Sequence, residues 1–205
     1  MANHPDRESV FGKGIVDHLE LIQTLHHQQE LLEEIAKLMA AALHRGNQIF
    51  WCGNGGSAGD SQHLAAEIVG RFRRERRGLP SIALTTDTSI LTSVANDYGY
   101  EAVFARQIEA LGNEGDVLVG ISTSGNSHNV VCALQAARAR NIATVAFTGE
   151  GGGRMAPLAD YLFAVQSRDT ARVQEAHMLA GHMLCDWIEL DWVASEAARV
   201  ESAIK

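Results

Sequence analysis

Apolar residues return at Ile15, Leu19, Ile22, Leu25, Leu32, Ile35, Leu38 and Leu43, close to a helical period. That spacing predicts one amphipathic helix over 15–45, which the polar run 44–48 (HRGNQ) then breaks. His26 and His27 lie in its middle and read as solvated positions. Residues 1–12 lack the period and are expected to form a loosely ordered arm. Beyond the helix the pattern changes. Short continuous apolar runs at 48–52, 81–85, 116–122, 143–148 and 161–165 alternate with amphipathic stretches at 58–74, 89–95, 101–111 and 127–140. Such runs predict parallel strands buried on both faces by helices. A long helix over 170–197 closes the chain. The expected architecture is α/β, a three-layer α/β/α sandwich on a five-stranded parallel sheet, with a long helix at each end.

The 205 residues are 46% hydrophobic and 20% charged, which is enough apolar material for one core, so a single domain over 1–205 is expected. Seventeen basic residues against 25 acidic ones leave a net charge of −8, which argues against nucleic acid or an anionic membrane as partner. The N-terminal segment has no secretory apolar core, and no run approaches the ~18 apolar residues of a membrane span. Cys52, Cys132 and Cys185 are odd in number, far apart and set in apolar runs. They read as buried free thiols in a reducing cytoplasm. Nineteen glycines beside only 3 prolines point to loops that approach a ligand closely.

Two loops have that character. The first strand ends in Gly53-Asn54-Gly55-Gly56-Ser57 just before a helix, where unpaired N–H groups and the positive end of the helix dipole suit an anion. The loop has neither the Gly-Lys-Ser/Thr of a P-loop nor the G-x-G-x-x-G spacing of a dinucleotide site. A tight structural turn remains the alternative. The third strand ends in Ser122-Thr123-Ser124-Gly125-Asn126-Ser127, again before a helix. Four hydroxyls exceed what capping needs and form a cup suited to a phosphate monoester at the carboxyl end of a parallel strand. A third loop, 148–153, carries Glu150 and reads as structural. Asp87-Thr88-Ser89 and Asn96-Asp97 offer groups for sugar hydroxyls, a reading the sequence leaves open.

His63 and Glu67 are four apart and share a helix face beside the first loop. The closing helix offers Gln174, Glu175, His177 and His182. Gln174 and His182 are about 12 Å apart in rise, so a single metal between them is allowed but not required. Arg71, Arg73, Arg74, Arg76 and Arg77 flank Glu75 and read as a solvated helix end, with Arg71 placed to reach toward a site.

The segments GNGGS-x₅-HLAAEIVGRF, LPSIALTTDTSILTSVANDYGYE, FARQIEALGNEGDVLVGISTSGNS and DTARVQEAHMLAGHMLCD resemble the phosphoheptose isomerase family of sugar isomerase (SIS) domain proteins. The resemblance covers roughly residues 15–195 and implies a flavodoxin-like SIS fold. It implies interconversion of sedoheptulose 7-phosphate and D-glycero-D-manno-heptose 7-phosphate, for nucleotide-heptose and bacterial surface polysaccharide synthesis. It also implies a homotetramer whose sites lie where subunits meet. By position, it implies zinc, one per subunit, on His63, Glu67, Gln174 and His182. Substrate contacts fall on Asn54, Gly55, Gly56, Ser57, Glu67, Asn96, Asp97, Ser122, Thr123, Ser124, Ser127 and Gln174. Glu67 and His182 are the implied catalytic pair. A non-catalytic SIS relative that associates with the replication initiator has similar loops but lacks the acid and the imidazole at these two positions; here both are present.

Overall fold

In the computed structural model, which describes residues 7–204, the five apolar runs form one parallel sheet. Its strands are β1 (Ile49–Gly53), β2 (Ser81–Ala83), β3 (Val117–Ser122), β4 (Ala143–Thr148) and β5 (Tyr161–Ala164). Their spatial order is β2-β1-β3-β4-β5, so the winding direction reverses between β1 and β3. The register there sets Trp51 against Val119 and Gly53 against Ile121. Successive side chains enter opposite clusters. Ile49, Trp51, Val117, Val119, Ile121, Val145 and Phe147 face one, and Phe50, Cys52, Leu118 and Ala146 face the other. Both faces are covered, which is why the strands read as unbroken apolar runs.

Helices α1 (Arg7–Thr24), α2 (Gln29–His44), α3 (Gly56–Val69) and α7 (Thr170–Ile204) contribute to the first cluster. Helices α5 (Ala105–Leu111) and α6 (His128–Ala139), with one edge of α4 (Thr88–Tyr98), contribute to the second. The expected three-layer α/β/α architecture is therefore present.

The N-terminal expectations need correction. The predicted arm lies partly outside the described residues, and its remainder from Arg7 is already helical. The single helix over 15–45 is two helices separated by a 3-10 turn, Leu25–Gln28. One local and one long-range side-chain hydrogen bond accompany the interruption. Thr24 Oγ1 donates to Leu21 O at 2.7 Å, and Gln28 Nε2 donates across to Ala164 O at the end of β5 at 3.2 Å. His26 and His27 are exposed in that turn, as expected of solvated positions.

Helix α3 stops at Val69 rather than at 74, and the arginines occupy irregular chain that packs on α7. None of the five stands on a helix end, and Arg74 and Arg76 are partly buried rather than solvated. Fully buried Glu189 accepts the backbone N–H groups of Phe72, Arg73 and Arg74 at 2.7–2.9 Å, and Arg76 Nε lies 3.3 Å away. Burial pushes the Glu189 carboxyl up, but the three N–H donors and Arg76 outweigh it, and the net shift is downward. Arg73 and Arg74 also pair with Asp186 at 2.7 and 2.5 Å. Arg71 reaches Glu75, at 3.0 Å, and not a site. A buried carboxylate needs such partners, and they wind this segment onto α7.

His177 is likewise buried, against Phe147 and Phe163, with Nε2 bonded to Thr148 O at 3.0 Å and Nδ1 without a partner. Burial, only partly offset by the Thr148 carbonyl, pushes this imidazole down to about 4. The unfolded chain, with an ordinary value near 6.5, takes up the proton first. The neutral folded form is thus fully favoured above pH 6.5 and loses about 1.4 kcal/mol per pH unit as pH falls toward 4. Urea unfolding between pH 7 and 4.5 is expected to show this slope in the wild type. It should be flattened in His177→Gln, and equal slopes would contradict the account.

Candidate active site

The reversal of winding between β1 and β3 opens a crevice at their carboxyl ends, where ligands bind in open α/β sheets. Both ligand-type loops lie there. Gly55, at φ 55°, turns the first loop into α3. A Cβ on Gly56 would stand 2.5 Å from Gln174 Nε2, so a side chain here would push the Gln174 amide away from this helix start. On the second loop, Ser122 Oγ lies 2.9 Å from Ser127 Oγ and 3.4 Å from Ser124 Oγ. Ser127 occupies the N-cap of α6, yet its hydroxyl makes no cap hydrogen bond. These hydroxyls gather on one another rather than serve the helix, which leaves them to a ligand. The third loop braces the cup. Gly149 N–H donates to Thr123 O at 3.0 Å, and a Cβ on Gly125 would fall 2.3 Å from Gly152 O. Glu150 is turned away onto Arg168.

On α3 and α7 the titratable groups meet across a close helix contact. His63 Nε2 is 2.8 Å from His182 Nε2 and 3.4 Å from Glu67 Oε1. Two imidazole nitrogens so close require one to donate a proton and the other to accept it. Phe72 stacks on His182 with centroids 5.4 Å apart. Gln174 does not join this group. Its Nε2 donates to Asp60 Oδ1 at 3.0 Å, one turn nearer the first loop. Asp60 Oδ2 is buried without a partner, and burial raises its carboxyl above the ordinary range despite Gln174 and His63. Gln174 and His182 both line a cleft of about 530 Å³. Glu175 lines the same cleft, paired with His18 at 2.7 Å, whereas His177 is in the core and does not add to the site.

Asn96 and Asp97 lie in the last turn of α4, exposed, with Asn96 Nδ2 bonded to Asp97 Oδ1 at 2.8 Å. Tyr100, three residues beyond Asp97, reaches the first-loop candidate Asn54 at 3.0 Å. Asp87 is committed as the N-cap of α4, accepting from Ile90 N–H at 2.9 Å. Asp60 was not singled out from the sequence, although its spacing of three and seven from His63 and Glu67 puts it on their helix face.

As to metal, the donor types fit zinc, with two imidazoles and a carboxylate in sequence of contact. Among the described residues, however, no three His, Cys, Asp or Glu side chains already converge on one point.

Comparison with known proteins follows the same lines. The SIS domain family model matches residues 15–149. A phosphoheptose isomerase of Nitratidesulfovibrio vulgaris (Miyazaki F) is 61% identical over 148 residues, 72% of this chain and 71% of that one. One from Roseiflexus sp. is 51% identical over 173 residues, 82% of this chain and 88% of its own. The solved phosphoheptose isomerase of Neisseria gonorrhoeae superposes with a TM-score of 0.85 at 42% identity, covering 90% of this chain and 99% of that one.

If the hydroxyl cup holds a phosphate, Ser122→Ala is expected to weaken inorganic phosphate binding by roughly 1–3 kcal/mol, through a lost charge-assisted hydrogen bond. Calorimetric titration reads this directly, and unchanged affinity would remove the cup from the site.

Proposed function

Since this chain belongs to the SIS domain family and, within it, to the phosphoheptose isomerases, we propose a division of its site into an anchoring end and a reacting end. The enzyme isomerises sedoheptulose 7-phosphate, and D-glycero-D-manno-heptose 7-phosphate is the aldose we assign as product. That product would feed nucleotide-heptose synthesis for the bacterial surface. The observation that carries the division is the 2.8 Å contact of His63 with His182, with Glu67 beside it, on helices flanking a separate hydroxyl cup.

The reaction moves a proton between C1 and C2 through an enediol(ate). Ser122, Thr123, Ser124 and Ser127 hold the phosphate at C7, and Asn54, Gly55, Gly56 and Ser57 bind along the first loop. Binding energy at the remote phosphate then positions the reacting carbons. Glu67 takes the C1 proton of the ketose. His182, which already shares a proton position with His63, moves protons on O1, O2 or the ring oxygen. Gln174 steadies the sugar from the Asp60 end of the cleft. Asn96 and Asp97 meet sugar hydroxyls from the α4 side, next to the Tyr100 contact with Asn54.

We assign zinc, one per chain, to His63, Glu67 and His182, with Gln174 as fourth ligand once it leaves Asp60. Bound there, zinc would polarise the substrate carbonyl. The assembly we propose is a homotetramer. Supporting it, Phe11, Ile15 and Leu19 lie at helical spacing on α1 and are exposed by 77%, 62% and 56% in the single chain. Among the described residues no helix is long and apolar enough to cross a membrane. Cys52 and Cys185 are buried as expected, whereas Cys132 is only partly buried; all three are free thiols, which suits a reducing cytoplasm.

Protein purified without chelator is expected to convert sedoheptulose 7-phosphate to the aldose and to carry about one zinc per chain. Glu67→Gln should lower kcat by at least ~10²-fold with the fold intact. Full turnover in Glu67→Gln would contradict its role as base, and absence of conversion by the wild type would leave only a phosphosugar-binding function.

A further inference from the structure

The first ligand-type loop is joined to the helix that follows the second by a pair of side-chain amides. Asn54, in the first loop, and Asn129, in the first turn of α6, exchange both hydrogen bonds. Asn54 Nδ2 donates to Asn129 Oδ1 at 2.8 Å, and Asn129 Nδ2 donates to Asn54 Oδ1 at 2.8 Å. Asn129 is only 3% exposed, so the pair is largely shielded from competing water. Its orientation is not free to flip. The backbone N–H of Val130 donates to Asn129 Oδ1 at 3.0 Å, which identifies that atom as the acceptor and fixes both amides in turn. A third group closes the arrangement. Tyr100, in the 3-10 turn Tyr100–Ala102 that follows α4, donates its hydroxyl to the same Asn54 Oδ1 at 3.0 Å.

Hydrogen-bond capacity then decides what Asn54 has left. Its Oδ1 already accepts two hydrogens, the usual limit for an amide oxygen, and one Nδ2 hydrogen is committed to Asn129. One N–H remains. We propose that Asn129 and Tyr100 are positioning residues that restrict Asn54 to donating one hydrogen bond to a substrate oxygen. The same clamp locks the glycine loop to the helix that carries the hydroxyl cup. The partner atom must be an acceptor, such as the ketose carbonyl, a hydroxyl lone pair or a phosphate oxygen. A free asparagine could turn its oxygen toward a substrate hydroxyl instead, and here that orientation would oppose Asn129 Oδ1. Tyr100 reports on the site from the α4 side, since it is 58% exposed and its hydroxyl is directed at the loop.

The inference rests on the reading above that Asn54 touches substrate, and the experiment separates the two. Steady-state kinetics with sedoheptulose 7-phosphate would compare wild type with Asn54→Ala, Asn129→Leu, Tyr100→Phe and the double variant Asn54→Ala/Asn129→Leu, with thermal unfolding of each in parallel. Asn54→Ala and Asn129→Leu are each expected to lower kcat/KM by about tenfold or more, and Tyr100→Phe by a few-fold. The double variant should be no worse than Asn54→Ala alone, because Asn129 acts only through Asn54. A purely structural Asn129 would instead lower Tm and add its kinetic loss to that of Asn54→Ala. If Asn54→Ala is as active as wild type, the substrate contact itself is wrong. If Asn54→Ala is impaired while Asn129→Leu and Tyr100→Phe are not, the clamp is overturned. Should Asn129→Leu fail to fold, Tyr100→Phe decides alone: it loses one exposed hydroxyl, and unchanged kcat/KM would refute the proposal.

Discussion

Everything at the reacting end depends on how closely α3 and α7 cross. At Gly181 a Cβ would lie 2.6 Å from both δ-carbons of Leu64, and Leu64 is completely buried. The absence of a side chain at Gly181 is what lets Leu64 seat against the α7 backbone. The next residue along α7 is His182, and the preceding residue on α3 is His63, so the same contact sets their imidazoles 2.8 Å apart. Polar contacts fix the crossing on both sides. Gln174 meets Asp60 toward the first loop, and Glu189 and Asp186 hold the chain that leaves α3. Sliding α7 by one turn would break all of these at once.

The sheet supplies the other half of the geometry. Because winding reverses between β1 and β3, their loops open toward each other, and a ligand held there contacts two helix N-termini together. The cup is built on strand ends and backbone, whereas His63, Glu67 and His182, the groups proposed for proton transfer, stand on two packed helices. A seven-carbon phosphosugar has its phosphate and its reacting carbonyl at opposite ends, and the candidate site likewise has two parts, the hydroxyl cup and the His63, Glu67 and His182 group. Rigid anchoring at one end lets small side-chain motions at the other do the chemistry.

Local signals made much of this legible in the sequence. Unbroken apolar runs marked the strands, and glycine or hydroxyl clusters just before helices marked the loops, because each depends on neighbours in the chain. His63 and Glu67 were legible for the same reason, being four apart on one helix. The remainder rests on distant partners. The C-terminal end of α3 could not be read because Glu189, far along the chain, collects the N–H groups that follow it. His177 looked like a site residue from its spacing, yet the side of α7 it occupies faces Phe147 and Phe163. Asn129 gave no sign at all, since a buried amide is indistinguishable from a surface one until its partner is known. Asn96 and Asp97, carried over from the family resemblance, lie on a helix with no buried residues, just before the Tyr100 that bonds to Asn54.

The central claim is that the closeness of α3 and α7 at Gly181 sets the proton-transfer geometry. Its most direct test is the kcat of Gly181→Ala, alone and combined with Leu64→Val, which removes both δ-methyl contacts. The account predicts a large fall in kcat for Gly181→Ala with inorganic phosphate affinity unchanged, and partial recovery in the double variant. Wild-type kcat in a folded Gly181→Ala protein would contradict it.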